Sequence, residues 1–134
     1  MGKVARRIVG MDPPEDAIET STETIWMEDG IVIAKLTGEP TTSATVEAAF
    51  AVYRDLTKGS PQPLFLDARN WPGADAASWD TAIKNIQSTL SAIAMLVTPE
   101  TLSKTGPFPN AINQLMIPVR VFTDEAEALE FLRG

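Results

Sequence analysis

Histidine and cysteine are both absent from the 134 residues. Without them the chain lacks the commonest general base, the thiolate nucleophile and the ligands of nearly every protein zinc site. No disulfide framework can form, which suits a reducing compartment. Positive charge is also scarce, with 11 Lys and Arg against 18 Asp and Glu and a net charge of -7. Nucleic-acid binding relies on Lys and Arg to neutralise phosphates, so that class of partner is excluded, and the basic tip Lys3, Arg6 and Arg7 is read as solvated. No apolar run reaches membrane-spanning length, which argues against membrane insertion. The short run ending at Val9 is followed by Asp12, Glu15 and Asp16, unlike a secretory leader. Arg6 stands where a myristoylation motif needs Ser or Thr. One soluble, cytoplasmic domain is expected.

Residues 1–22 join the basic tip, Pro13-Pro14 and an acidic, Ser/Thr-rich stretch without period 2 or 3.6, so an irregular arm is expected there and a single domain over 23–134. Asp29-Gly30, between Thr24–Glu28 and Ile31–Leu36, accepts the positive φ values of a two-residue hairpin turn. Thr41-Thr42-Ser43 offers helix-capping oxygens, and Val46, Ala49, Phe50, Tyr53 and Leu56 then recur at helical spacing up to Gly59. Two continuous apolar runs, 63–68 and Ala92–Val97, read as strands buried on both faces. Between them Asp75 can cap a helix with Trp79, Ile83, Ile86 and Leu90 inward and Asp80 paired with Lys84 outside. A helix starting near Glu100 must break at Gly106-Pro107-Phe108-Pro109 and resume over Asn110–Met116. Val119–Phe122 is the last strand, and Thr123 or Asp124 caps a final helix with Leu129 and Leu132 inward. The sum is an N-terminal β-hairpin followed by four β-α units, counting the hairpin's second strand. Right-handed crossovers make this a mainly parallel, five-stranded sheet.

Hydrolytic chemistry has little support, because no Ser sits in a Gly-flanked elbow or beside a suitably spaced Lys. Leu36-Thr37-Gly38-Glu39-Pro40 is too poor in glycine to cradle phosphate. Asp67 and Asp124 end two strands at one edge of the sheet, where carboxylates can hold magnesium. The plainer reading is that Asp67 accepts hydrogen bonds from the backbone or Arg69, and that Asp124 caps a helix. Asp67–Gly73 is the most distinctive segment, because parallel sheets bind ligands beyond their strand ends. Arg69, Asn70 and Trp71 there, with Phe108, are the candidate ligand-binding residues. Against this, Trp71 and Trp79 can simply cover the end of the core, and Phe108 can serve as a lid over the sheet edge.

The order of elements, with Pro-Leu-Phe-Leu-Asp-Ala-Arg, Ser-Ala-Ile-Ala-Met-Leu-Val and Ile-Pro-Val-Arg-Val-Phe-Thr-Asp-Glu-Ala-Glu-Ala-Leu-Glu-Phe-Leu, resembles the SpoIIAA-like (STAS) domains of bacteria over residues 24–133. It looks closest to the STAS/CRAL-TRIO-like branch, in which a strand ending Phe-Thr precedes an acidic helix. The resemblance implies a β-α superhelix and a choice between protein-contact regulators and carriers of apolar ligands. In the anti-sigma-factor antagonists a phosphorylatable serine lies in Asp-Ser-Ser at the start of the helix after the central strand. Asp75-Ala76-Ala77-Ser78 stands there instead, so loss of the phosphoserine switch is expected. The leading expectation is a non-enzymatic regulatory or interaction domain without cofactor or metal, pairing as a homodimer through exposed apolar hairpin residues Ile25, Met27, Ile31 and Ile33. The alternative is a domain binding a small apolar or anionic ligand in the crevice at the strand ends, near Arg69, Asn70, Trp71 and Phe108.

Overall fold

A computed structural model describes residues 13–105 and 115–133. The chain runs β1 (Ile18–Glu19), β2 (Glu23–Glu28), β3 (Ile31–Leu36), α1 (Ser43–Thr57), β4 (Gln62–Asp67), α2 (Ala76–Thr89), β5 (Leu90–Leu96), α3 (Pro99–Thr105), β6 (Val119–Phe122) and α4 (Glu125–Arg133). The strands form one six-stranded sheet in sequential order. β1 and β2 pair antiparallel, as do β2 and β3, and β3 to β6 run parallel. The sheet is one strand wider than expected, because the N-terminal stretch read as irregular supplies β1. Only Ile18 and Glu19 join it, opposite Ile25 and Thr24, too few to show a period of two.

Local chemistry sets the element boundaries. Asp29 and Gly30 adopt φ 53° and 77°, both left-handed as a type I′ hairpin turn requires. Thr42 caps α1 through a reciprocal arrangement: Thr45 N donates to Thr42 Oγ1 at 3.2 Å, and Thr42 N donates to Thr45 Oγ1 at 2.8 Å. The helix ends with Lys58 at φ 54°. Asp75 caps α2 by accepting from Ser78 N at 2.8 Å, and Asp124 caps α4 by accepting from Glu127 N at 3.1 Å. Pro63 tolerates its place in an interior strand because the register shifts between Gln62 and Pro63, where a ladder donor is not needed. Leu90, expected on the inner face of α2, instead opens β5 and is fully buried, since helix passes to strand without a loop. No ion pair joins Asp80 to Lys84; Arg54 Nη1 to Asn85 Oδ1 at 3.0 Å and Thr81 Oγ1 to Ser43 Oγ at 3.2 Å tie α2 to α1 instead.

Each sheet face has its own core. Ile25, Val32, Leu64, Ile93 and Met95 pack beneath α1 and α2, among them Phe50, Tyr53 and Ile86. Trp26, Ile31, Ile33, Phe65, Leu96 and Phe122 form the second core, with Ala128 of α4. Helices of successive same-handed crossovers fall on one face, and α4, which follows the last strand, closes the other. The hairpin residues offered as a homodimer surface therefore stand corrected. Ile25, Ile31 and Ile33 are buried in these cores and Met27 is half-buried against the first, because strand alternation sends neighbouring residues to opposite faces and both faces are covered. No helix among the described residues is long and apolar enough to cross a membrane.

Candidate functional site

The C-terminal ends of β3, β4, β5 and β6 open onto one edge of the sheet, where the distinctive segment after β4 lies. Ala68 N donates to the Leu96 carbonyl at 2.8 Å and Trp71 N to the Ala68 carbonyl at 3.1 Å, which folds the loop tightly on the strand ends. Arg69 grips the buried Asp67 with two hydrogen bonds, Nε to Oδ1 at 2.9 Å and Nη2 to Oδ2 at 2.7 Å. These bonds hold the guanidinium pKa above its ordinary value. On the other side the Arg69 carbonyl accepts from Thr101 Oγ1 of α3 at 3.0 Å. Asp67 thus takes the plainer of its two readings, as the anchor of its own loop.

Of the four candidate ligand residues, Arg69 and Asn70 lie at the surface, with the Arg69 side chain 40% exposed. Trp71 turns inward and meets Trp79 edge-to-face, 5.7 Å between centroids at 79°, as aromatic quadrupoles favour. The structure therefore separates Trp71 from Arg69 and Asn70 instead of gathering the three around one crevice. Phe108 falls outside the described residues. A charged cluster surrounds Arg69: Glu125 has its carboxyl pKa raised by partial burial, opposed by Arg69 and Lys35 and reinforced by Asp67 and Asp124.

Behind Trp71 lies a cavity of about 120 Å³ between the sheet and helices α1 and α2. Its wall is almost wholly apolar, with Leu36, Phe50, Leu66, Ile86 and Met95 among the lining residues. The helices leave this space because they turn small side chains toward it, Ala49 from α1 and Ser78 and Ala82 from α2. Glu23 and Tyr53 supply polar wall: the Tyr53 hydroxyl donates to Glu23 Oε1 at 2.5 Å in buried surroundings. Burial pushes the Glu23 carboxyl up to about 7, only partly offset by the Tyr53 hydrogen bond, because a charge is poorly solvated there. Burial, and the adjacent carboxyl, raise the Tyr53 phenol well above its usual value. Glu23 was not singled out in the sequence, although one signal was present. It lies in phase with Ile25 and Met27 on an alternating strand, and so shares their inward face. Tyr53 was placed on the inner face of its helix, but without a polar partner.

These features define a SpoIIAA-like β-α domain: a sheet of sequentially ordered parallel strands after a hairpin, with α1 and α2 on one face. The fold is similar to that of an anti-sigma factor antagonist from Mycobacterium paratuberculosis, at 15% sequence identity and a TM-score of 0.54, over 84% of this chain and 94% of that one. The chain belongs to the family described as domain of unknown function DUF7793, whose model matches residues 25–134. No curated protein matches the sequence.

Proposed function

We propose that this is a non-enzymatic regulatory domain of the STAS type, working in the cytoplasm through contact with another protein and without a phosphoserine switch. The likeness in fold to an anti-sigma factor antagonist supports protein contact as its mode of action. Ser78 is the observation that carries the proposal. The residue is 1% exposed, and its Oγ lies 2.7 Å from Asp75 Oδ1 and 3.2 Å from the Thr41 carbonyl. A phosphoryl group there would break both contacts and add negative charge beside a carboxylate. What the start of α2 offers a partner is instead Ala76 and Ala77, both exposed, beside Arg69 and Asn70 on the preceding loop. The sequence Phe122-Thr123 followed by the acidic α4 supports kinship with the CRAL-TRIO-like branch. A homodimer belongs to the same reading, formed through the outer edge of β6, which no strand covers among the described residues.

A photocrosslinking residue at Ala77, introduced in cells, tests the contact, with one at Lys58 at the far end of α1 as control. A discrete protein adduct from Ala77 alone is expected. No adduct, or the same adducts from both positions, would refute it. Light scattering across a concentration series tests the dimer, and a strict monomer would remove it.

A further inference from the structure

The cavity between the sheet and helices α1 and α2 does no work in a protein-contact reading, yet it combines two features that each destabilise a fold. One is empty apolar volume and the other a carboxyl held away from bulk water. A cavity of about 120 Å³ is close in size to the apolar cavities of about 150 Å³ that admit a single benzene ring. Water is a poor filler, because it needs two to four polar partners and nearly the whole wall is hydrocarbon. The polar wall is not neutral in its preferences. Tyr53 commits its hydroxyl proton to Glu23 Oε1, which leaves the Tyr53 oxygen and the carboxyl to act as acceptors at the cavity wall.

We propose that the cavity is a binding site for one compact apolar molecule bearing a hydroxyl group, a small phenol or alicyclic alcohol, with the hydroxyl at the Glu23–Tyr53 pair and the ring among Phe50, Leu66, Ile86 and Met95. A hydroxyl both donates and accepts, so it satisfies the Glu23 carboxyl in either of its protonation states. An anionic head would meet like charge at the ionised carboxyl, and a molecule with no polar head would set hydrocarbon against it. The volume restricts the body to about one six-membered ring. Ser78 lines the cavity from within, while the residues offered to a partner, Ala76 and Ala77, are exposed, so a missing adduct at Ala77 and a missing ring-binding signal are separate results.

Cyclohexanol, methylcyclohexane and cyclohexanecarboxylate share a ring and differ in the head. Titrated into the full chain, they are followed by amide chemical shifts in α1 and α2 and by melting temperature. Saturable binding of cyclohexanol is expected, at least about tenfold tighter than methylcyclohexane, since a hydrogen bond to a charged or buried group is worth that factor. No saturable binding of cyclohexanol would overturn the site. Equal affinity for the three probes would overturn the assigned head group. Glu23→Leu is expected to bring the ratio of cyclohexanol to methylcyclohexane near one, and an unchanged ratio would count against the carboxyl. Ala49→Leu fills the volume and is expected to abolish binding of every ring, with Ala82→Leu as a second filling variant. Retained affinity in a folded filling variant would place the ligand elsewhere.

Discussion

Replacing Glu23 with Gln offers the most direct test of the buried carboxyl. The carboxyl titrates at 4.5 when unfolded and at about 7 in the fold, so between these values the native state holds the proton more tightly than the unfolded state. Stability therefore falls as pH rises through this window and is level above about pH 8. At about 1.4 kcal/mol per pH unit the separation corresponds to about 3 kcal/mol of destabilisation fully present above about pH 8 and absent below about pH 3.5. Gln keeps an oxygen to accept from Tyr53 and cannot ionise, so Glu23→Gln abolishes this component alone. Other carboxylates titrate in both proteins and cancel in the difference. Urea unfolding followed by tryptophan fluorescence at pH 5, 6, 7 and 8.5 should show the variant ahead of the parent by less than about 1 kcal/mol at pH 5. At pH 8.5 the variant should be more stable by about 3 kcal/mol, or about 10 °C in melting temperature for a chain of this length. Tyr53 does not interfere, since its phenol titrates well above this range. Parallel pH profiles for the two proteins would refute the reasoning, because they would mean that Glu23 pays no desolvation cost in the fold.

Ser78→Ala should cost about 1 kcal/mol for the lost hydrogen bonds, whereas Ser78→Glu should cost about 3 kcal/mol or more, by burying a charge beside Asp75. Equal and small losses by thermal melting would show that the site opens freely to a phosphoryl group. Thr42→Ala removes the oxygen that caps α1 and should cost about 1 kcal/mol by urea unfolding. An unchanged midpoint would mean that the cap is dispensable. Lys58→Gly should stabilise the protein by up to about 1 kcal/mol, because Lys58 adopts a left-handed φ of 54° at the end of α1. A lower melting temperature in that variant would contradict the assigned conformation.

Local patterns carried most of the architecture. Asp29-Gly30 announced the hairpin, the Thr41-Thr42-Ser43 cluster and Asp75 the starts of two helices, and 63–68 a strand covered on both faces, because these signals depend on neighbours within a turn or two of chain. The β1 pairing was invisible, since two residues have no period and their partner lies across a turn. Leu90 fits the helical spacing of Trp79, Ile83 and Ile86, and only the pairing of β5 in the sheet assigns it to the strand. The ligand face illustrates the same limit. Arg69, Asn70 and Trp71 are adjacent in sequence, so composition alone made them a cluster. The bidentate grip on Asp67 and the packing of Trp71 on Trp79 then sent them to different places.

What the sequence determined by itself was the absence of histidine and cysteine chemistry, the acidic balance, the β-α order and the run Asp75-Ala76-Ala77-Ser78 that opens α2. What the tertiary structure alone decided was the burial of Ile25, Ile31 and Ile33, the engagement of Ser78, and the meeting of Glu23 with Tyr53 thirty residues away at the wall of an apolar cavity. The division has a physical reason. Composition, capping and periodicity act along the chain, while exposure, empty volume and the solvation of a carboxyl depend on which distant segments come to surround it.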